Sequence, residues 1–429
     1  MAQQTKKNMR NMVMYQIFVR NFSEEGTFAA VQEKLDDIKN LGVDIIWLMP
    51  IHPIGKAKRK GTLGSPYAIQ DYRKVNPEFG TLDDFKALVD AIHAHGMKCI
   101  IDVVYNHTSP DSVLSVEHPE WFYHRPDGSF GNRVGDWSDI IDLDYSSKEL
   151  WSYQIETLKY WAGFVDGFRC DVAPLIPIEF WMQAREEVEQ VRPECIWLSE
   201  SVDPGFLLHM REKGLIAHSD SEIYRAFDIS YDYDCYDAFR SYFYGDGTLE
   251  DYAKAINRQE YTYPDNYVKL RFLENHDVTR ARFFIPDEKS LRNWTAFMFF
   301  QKGLALVYNG QENGISHLPS LFDRDTVEWD ADEKSDLRTL IRRLSDIKRN
   351  ELFADSTYNV TAVAEDFLVA THRHGEKIAV GIFSVNTKTA CVKVPLDDGI
   401  YENLIDGKKV EVFRGLARTF GEPIILIAE

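Results

Sequence analysis

From Val13 to about Leu344 the chain repeats one pattern, a short apolar run followed by an amphipathic stretch, and it does so eight times. The apolar runs cover 13–20, 44–50, 98–104, 166–171, 196–200, 223–228, 268–274 and 305–309. Strand-like and helix-like periods that alternate in this way mark a parallel sheet whose helices cross over its faces. Eight such units favour a closed (β/α)8 barrel over an open doubly wound sheet, and no Gly-rich phosphate fingerprint follows the first strand to argue otherwise. The stretch 82–95 shows the grammar well. Thr81 precedes an acidic first turn and Gly96 stops the helix. In such a barrel the chemistry sits at the C-terminal ends of the strands, so the polar residues that end each run are the ones to weigh.

Two segments break the pattern. About forty residues separate Val104 from the helical run near Lys148, far more than a β-α turn needs, which predicts an inserted subdomain. It carries Trp121, Phe122, Tyr123, His124 and Trp137, enough for a small core or for a surface facing sugar rings. After about Asn350 the period changes to two, in strands at 361–371, 378–383 and 389–395 separated by Gly, Asp and Asn turns. The expected division is 1–105 for the first part of the barrel, 106–146 for the insertion, 147–352 for the second part, and 353–429 for a C-terminal all-β domain.

The strand ends gather carboxylates, two histidines and an arginine. Strand three supplies Asp102, Asn106 and His107, strand four Arg169 and Asp171, strand five Glu200, and strand seven Glu274, His276 and Asp277. Strand alternation points Arg169 and Asp171 to the same side, so a guanidinium lies beside a carboxylate and should lower its pKa, as a nucleophile needs. Glu200 follows the apolar Ile196-Trp197-Leu198 and should be held protonated, as a general acid needs. Two carboxyls pushed apart in pKa are what glycoside hydrolysis uses. Any one of these acids alone is more simply an ion pair or a strand-end cap; several converging on one barrel mouth are harder to dismiss. The pairs His93/His95 and His372/His374 lack a third ligand nearby and no HExxH appears, which sets zinc catalysis aside. No Gly-x-Ser-x-Gly elbow supports a serine nucleophile.

Composition excludes more than it identifies. With 68 acidic against 49 basic residues the formal charge is -19, which repels nucleic-acid phosphates and anionic lipid heads. A neutral or cationic ligand fits better, with no nucleic-acid or membrane partner, and acidity that simply keeps the protein in solution is the weightier reading of the charge. No apolar stretch of signal-peptide or membrane-spanning length occurs, and five scattered cysteines read as reduced thiols, which together place the chain in the cytoplasm.

The same residues resemble the α-amylase family, glycoside hydrolase family thirteen. Asp102-Val103-Val104-Tyr105-Asn106-His107 is similar to its first signature region, Gly167 through Ala173 to the second, Trp197-Leu198-Ser199-Glu200 to the third, and Phe272 through Asp277 to the fourth, in the family's order. Further similarity covers Tyr15-Gln16-Ile17-Phe18, Tyr67 through Tyr72, and Tyr308 through Glu312. The resemblance implies a TIM barrel with an inserted domain B and a β-rich C-terminal domain. It also implies a retaining hydrolase of α-1,4-glucans or maltodextrins, in which Asp171 attacks the anomeric carbon, Glu200 serves as acid and then base, and Asp277 stabilises the distorted sugar. Arg169 would orient Asp171, His107 and His276 would bind sugar hydroxyls, Tyr67 would stack on the ring at the cleavage point, and Asp102 would support them from below. Retention calls for the two carboxyls about 5–5.5 Å apart. No cofactor is required. Asn106 and Asp142 resemble two ligands of the family's calcium site, so calcium is allowed for rather than needed. Pro174-Leu175 stand where many members carry a Lys-His pair that contacts the leaving-side sugar, and Ser65-Pro66 stand where a glycine is frequent. The residues serve two other readings: transfer or isomerisation by the same acids, and a non-catalytic relative, which the presence of all three carboxylates disfavours. Oligomeric state is left open.

Overall fold

The computed structural model describes residues 4–135, 137–329 and 337–428; the first three residues of the N-terminal run, and Glu429, lie outside it. Eight parallel strands close into a barrel: β1 Val13–Ile17, β2 Ile45–Leu48, β3 Lys98–Val103, β4 Gly167–Cys170, β5 Ile196–Ser199, β6 Ile229–Tyr231, β7 Val268–Arg271 and β8 Leu304–Tyr308. Closure comes from β1 pairing β8, Val13 opposite Ala305. Period two explains the packing. Met14, Ile45, Trp47, Ile100, Leu198, Ile229, Leu270 and Leu306 point inward and fill the barrel. Their neighbours Tyr15, Ile46, Ile101, Phe168, Trp197 and Val307 point outward into the larger core under the helices.

The helices form where their termini are satisfied. In α1, Leu82–Ala94, Thr81 and Asp84 make a reciprocal capping box, and Phe85, Leu88, Val89 and Ile92 are the buried stripe. Between β3 and α2, Lys148–Ala162, runs the long insertion, anchored by a short antiparallel ladder of His107–Thr108 with Ile141–Asp142. After the helix Arg338–Lys348, eight antiparallel strands make two four-stranded sheets with a shared apolar layer that includes Val380, Ile382, Val392, Val412 and Leu426. His372, from the first of these sheets, is buried between the Ser356 hydroxyl and the Phe300 carbonyl, which locks the β domain to the barrel instead of serving a metal.

Two sequence expectations need correction. The sixth strand is Ile229–Tyr231, not 223–228. Asp220–Ile223 is a helical turn capped reciprocally by Ser219 and Glu222, and Ile223 is buried on it, so an apolar residue that looks like a strand start belongs to a helix. The run 361–371 is a hairpin, Thr357–Val363 and Phe367–His374, broken at Ala364, whose φ of 50° begins the turn. Among the described residues no helix is long and apolar enough to cross a membrane.

On the outer face of the barrel, under the helices, lies a buried ionic layer. Lys269 on β7 is fully buried and pairs with Asp220 and Asp234, while Arg271 donates to Asp232 at 2.8 Å. Removing one member leaves the others uncompensated in a dry interior. Lys269→Ala is expected to lower unfolding free energy by about 3–5 kcal/mol in guanidinium titration; a loss below about 1 kcal/mol would place the layer among weak surface pairs.

Candidate active site

Strand ends around the closed barrel deliver polar groups to one point. Asp102 lies on β3 directly opposite Arg169 on β4, Asp171 follows β4, Glu200 follows β5, Tyr231 ends β6, and His276 and Asp277 come just after β7. Arg169 is the hub. Its Nη1 donates to Asp102 Oδ1 and to Asp171 Oδ1, both at 2.8 Å, and its Nη2 lies 2.8 Å from Glu200 Oε1. Nε donates to the Tyr231 hydroxyl at 3.3 Å, and the guanidinium carbon sits 5.3 Å from the Trp47 ring centroid and 5.5 Å from that of Tyr67. Such a planar cation with several donors suits an aromatic-lined, carboxylate-rich niche.

A second chain of hydrogen bonds crosses the mouth. Gln16, from β1, meets His276 Nδ1 at 2.6 Å; His276 Nε2 is 2.6 Å from the Tyr67 hydroxyl; and that hydroxyl donates to Asp102 Oδ2 at 3.2 Å. Tyr67 and His276 are stacked at 5.4 Å and 15°. His107 Nε2 is 3.9 Å from Asp171 Oδ2, with Trp137 of the insertion beside it at 5.6 Å. Burial lowers both histidines to about 4, so each is a neutral imidazole at pH 7, a donor and acceptor pair suited to an uncharged, hydroxyl-rich ligand.

The electrostatics differ from the sequence expectation in one respect. Arg169 does favour ionised Asp171, but burial outweighs it, and with Asp102 alongside the Asp171 carboxyl is raised to about 7 rather than lowered. Asp102 is likewise raised to about 7 by burial. Glu200 is raised well above its ordinary range, by burial first and then by Asp171 and Asp277, in the expected direction. One cation cannot neutralise three buried carboxylates, so a proton must be held among them.

Val172 completes the arrangement. Its φ is 35°, in the left-handed region where a β-branched residue is strained, and its N–H donates to Glu200 Oε2 at 2.7 Å. The turn after Asp171 therefore also holds Glu200. Asp277 is the exposed member, with 37% of its side chain open. Glu274, by contrast, is spent on Arg280 at 2.6 Å and on the Ala281 N–H, and does not face the cleft. The cleft itself, of about 470 Å³, is lined by Tyr67, His107, Asp171, Glu200, His276 and Asp277 among others. Sequence reasoning missed Tyr231, Gln16 as a positioning group, and the Val172 N–H. Only Gln16 carried a signal, a polar residue within an apolar strand.

Residues 6–124 and 117–360 match the family model for the α-amylase catalytic domain, and 359–426 match that for the bacterial α-amylase C-terminal domain. The crystal structure of an α-amylase from Lactobacillus plantarum is 48% identical, with a TM-score of 0.95 over 99% of this chain and 100% of that one. That of a noncanonic maltogenic α-amylase, AmyB, from Thermotoga neapolitana is 34% identical, with a TM-score of 0.87 over 98% and 99%. α-Amylase MalA of Haloarcula japonica is 29% identical over 94% of this chain, which spans 59% of that protein. An α-1,4-glucan:maltose-1-phosphate maltosyltransferase of Rhodospirillum rubrum is 38% identical over 41% of this chain and 28% of its own length.

The candidate calcium ligands share a cavity: Asn106 and Asp142 both line a space of about 380 Å³, and Asp142 Oδ1 is buried without a hydrogen-bond partner. The rest of the surroundings do not fit the ion. Asp142 Oδ2 accepts the Arg133 N–H at 2.7 Å, and the Arg133 guanidinium lies 3.7 Å from it, 3.9 Å from Asp144, and donates to the Leu143 carbonyl at 3.0 Å. Positive charge is already present, against a calcium ion's need for about 6–8 oxygen ligands. Chelation with EDTA is therefore expected to leave the melting temperature unchanged, whereas Arg133→Ala lowers it by several degrees. A fall on chelation that added calcium reverses would contradict this.

Proposed function

The chain belongs to the α-amylase family, and on that premise we propose that it is a retaining hydrolase of α-1,4-linked glucans or maltodextrins. The observation that carries the reading is the single guanidinium of Arg169 set between Asp171 and Glu200 at 2.8 Å from each, at the base of an open cleft. Contact with adjacent nitrogens of one planar group supports the short carboxyl separation of retaining enzymes.

Asp171 acts as the nucleophile. Arg169 ties down Oδ1, leaving Oδ2, near His107, to bond the anomeric carbon as the glycosidic C–O bond breaks. Glu200 gives its proton to the departing oxygen. In the second half it takes a proton from water, whose oxygen bonds the anomeric carbon while the ester to Asp171 breaks and the carboxylate is restored. Asp277 lines the cleft where a positively charged sugar would be stabilised, Tyr67 stacks on the sugar ring, and His107 and His276 hold hydroxyls. Asp102 neutralises part of Arg169 and fixes Tyr67. Calcium has no part in these steps. The charge balance and neutral histidines favour an uncharged polysaccharide as partner. A reducing cytoplasm agrees with five free cysteines, four of them buried.

The maltosyltransferase relative gives a second reading, in which a sugar replaces water as acceptor. Product analysis on maltoheptaose separates the two: shorter oligosaccharides alone support hydrolysis, and products longer than the starting material support transfer. Asp171→Asn is expected to cut kcat by several orders of magnitude with the melting temperature nearly unchanged. Activity needs Asp171 ionised and Glu200 protonated. It should therefore fall on the acid side as Asp171 protonates, near its raised value of about 7, and on the alkaline side as Glu200 ionises. With maltosyl fluoride, whose leaving group needs no proton, Glu200→Ala should lose the alkaline limb and keep the acid one. A surviving alkaline limb would assign it to another group.

A further inference from the structure

The cleft does not end at Asp277. Beyond it opens a bay of about 190 Å³ that shares Tyr236, Arg240, Asp277 and Val278 with the main cleft and adds Phe243, Tyr244 and Phe284. Its wall is one helix, Tyr233–Tyr244, which follows β6. Positions 236, 240, 243 and 244 fall on one face of that helix, the last three lying four, seven and eight residues beyond the first, so the wall runs away from Asp277 for about 12 Å. The floor is rigid: Phe243 packs against Phe239 at 5.0 Å, Phe284 at 4.9 Å and Trp294 at 5.2 Å. Tyr244 stands at the outer end, 66% exposed, with the Arg240 guanidinium 5.6 Å from its ring.

We propose that this bay binds further glucosyl residues of the glucan threaded through the cleft, with Tyr244 as its outer platform. The inference rests on the glucan reading above. Continuity with the cleft identifies the occupant, since whatever is bound at Asp277 and extends past Tyr236 enters the bay. The chemistry agrees: flat aromatic faces match the C–H faces of a pyranose, and Arg240 and Asp277 at the rim offer partners to its hydroxyls. A bay this small is a side extension, below the size of an independent ligand site.

The test compares maltotriose, too short to fill both cleft and bay, with maltoheptaose. Tyr244→Ala should lower the ratio of kcat/KM for maltoheptaose to that for maltotriose by about fivefold to tenfold, the effect of losing one aromatic contact. Tyr244→Trp should restore the ratio. An unchanged ratio in Tyr244→Ala, or an equal fall on both substrates with no rescue by tryptophan, would overturn the proposal. Failure of the unaltered chain to cleave either oligosaccharide would instead overturn the glucan reading, and the bay's assignment with it.

Discussion

Arg169 is a fully buried cation that faces three carboxylates, and the organisation of the barrel mouth follows from that imbalance. A guanidinium in a dry niche requires counter-charge, which Asp102 and Asp171 supply through one nitrogen and Glu200 approaches through the other. Three acids around one cation leave excess negative charge where dielectric screening is weak, and proton uptake relieves it. Burial, Asp171 and Asp277 push Glu200 up against the opposing pull of Arg169, so it is the excess of acids around one cation that keeps the partner of the proposed nucleophile protonated.

Barrel closure makes this arrangement reachable from distant parts of the chain. Gln16 lies on the first strand and His276 follows the seventh, yet they meet because β8 joins β7 to β1. Tyr67, from the loop after β2, completes the line to Asp102. An open sheet with the same eight strands would leave its first and last strands on opposite edges, and this hydrogen-bond chain would not form.

Much of this was legible in the sequence because it depends on period and position. Alternation placed Arg169 and Asp171 on one side, and the strand-end rule collected Asp102, Glu200, His276 and Asp277. What escaped depends on three-dimensional context. The raised pKa of Asp171 comes from burial competing with Arg169, and no local pattern weighs those two. Tyr231 lies in a strand of three residues, too short for a period-two signal and preceded by Ile223, whose helical turn imitates a strand. Arg133 reads as an ordinary loop cation until the fold sets it against Asp142 and Asp144. Pro174, at the position where a Lys-His pair is frequent, forms a 3-10 turn whose carbonyl accepts the His218 N–H, so that stretch serves as a strut.

The left-handed turn at Val172 ties two residues twenty-eight positions apart into one mechanical unit. Because the amide that grips Glu200 belongs to the residue next to Asp171, displacing either acid drags the other with it. The gap between them is thereby fixed twice, by the direct pairing of β4 with β5 and by the bend that carries the amide across to Glu200.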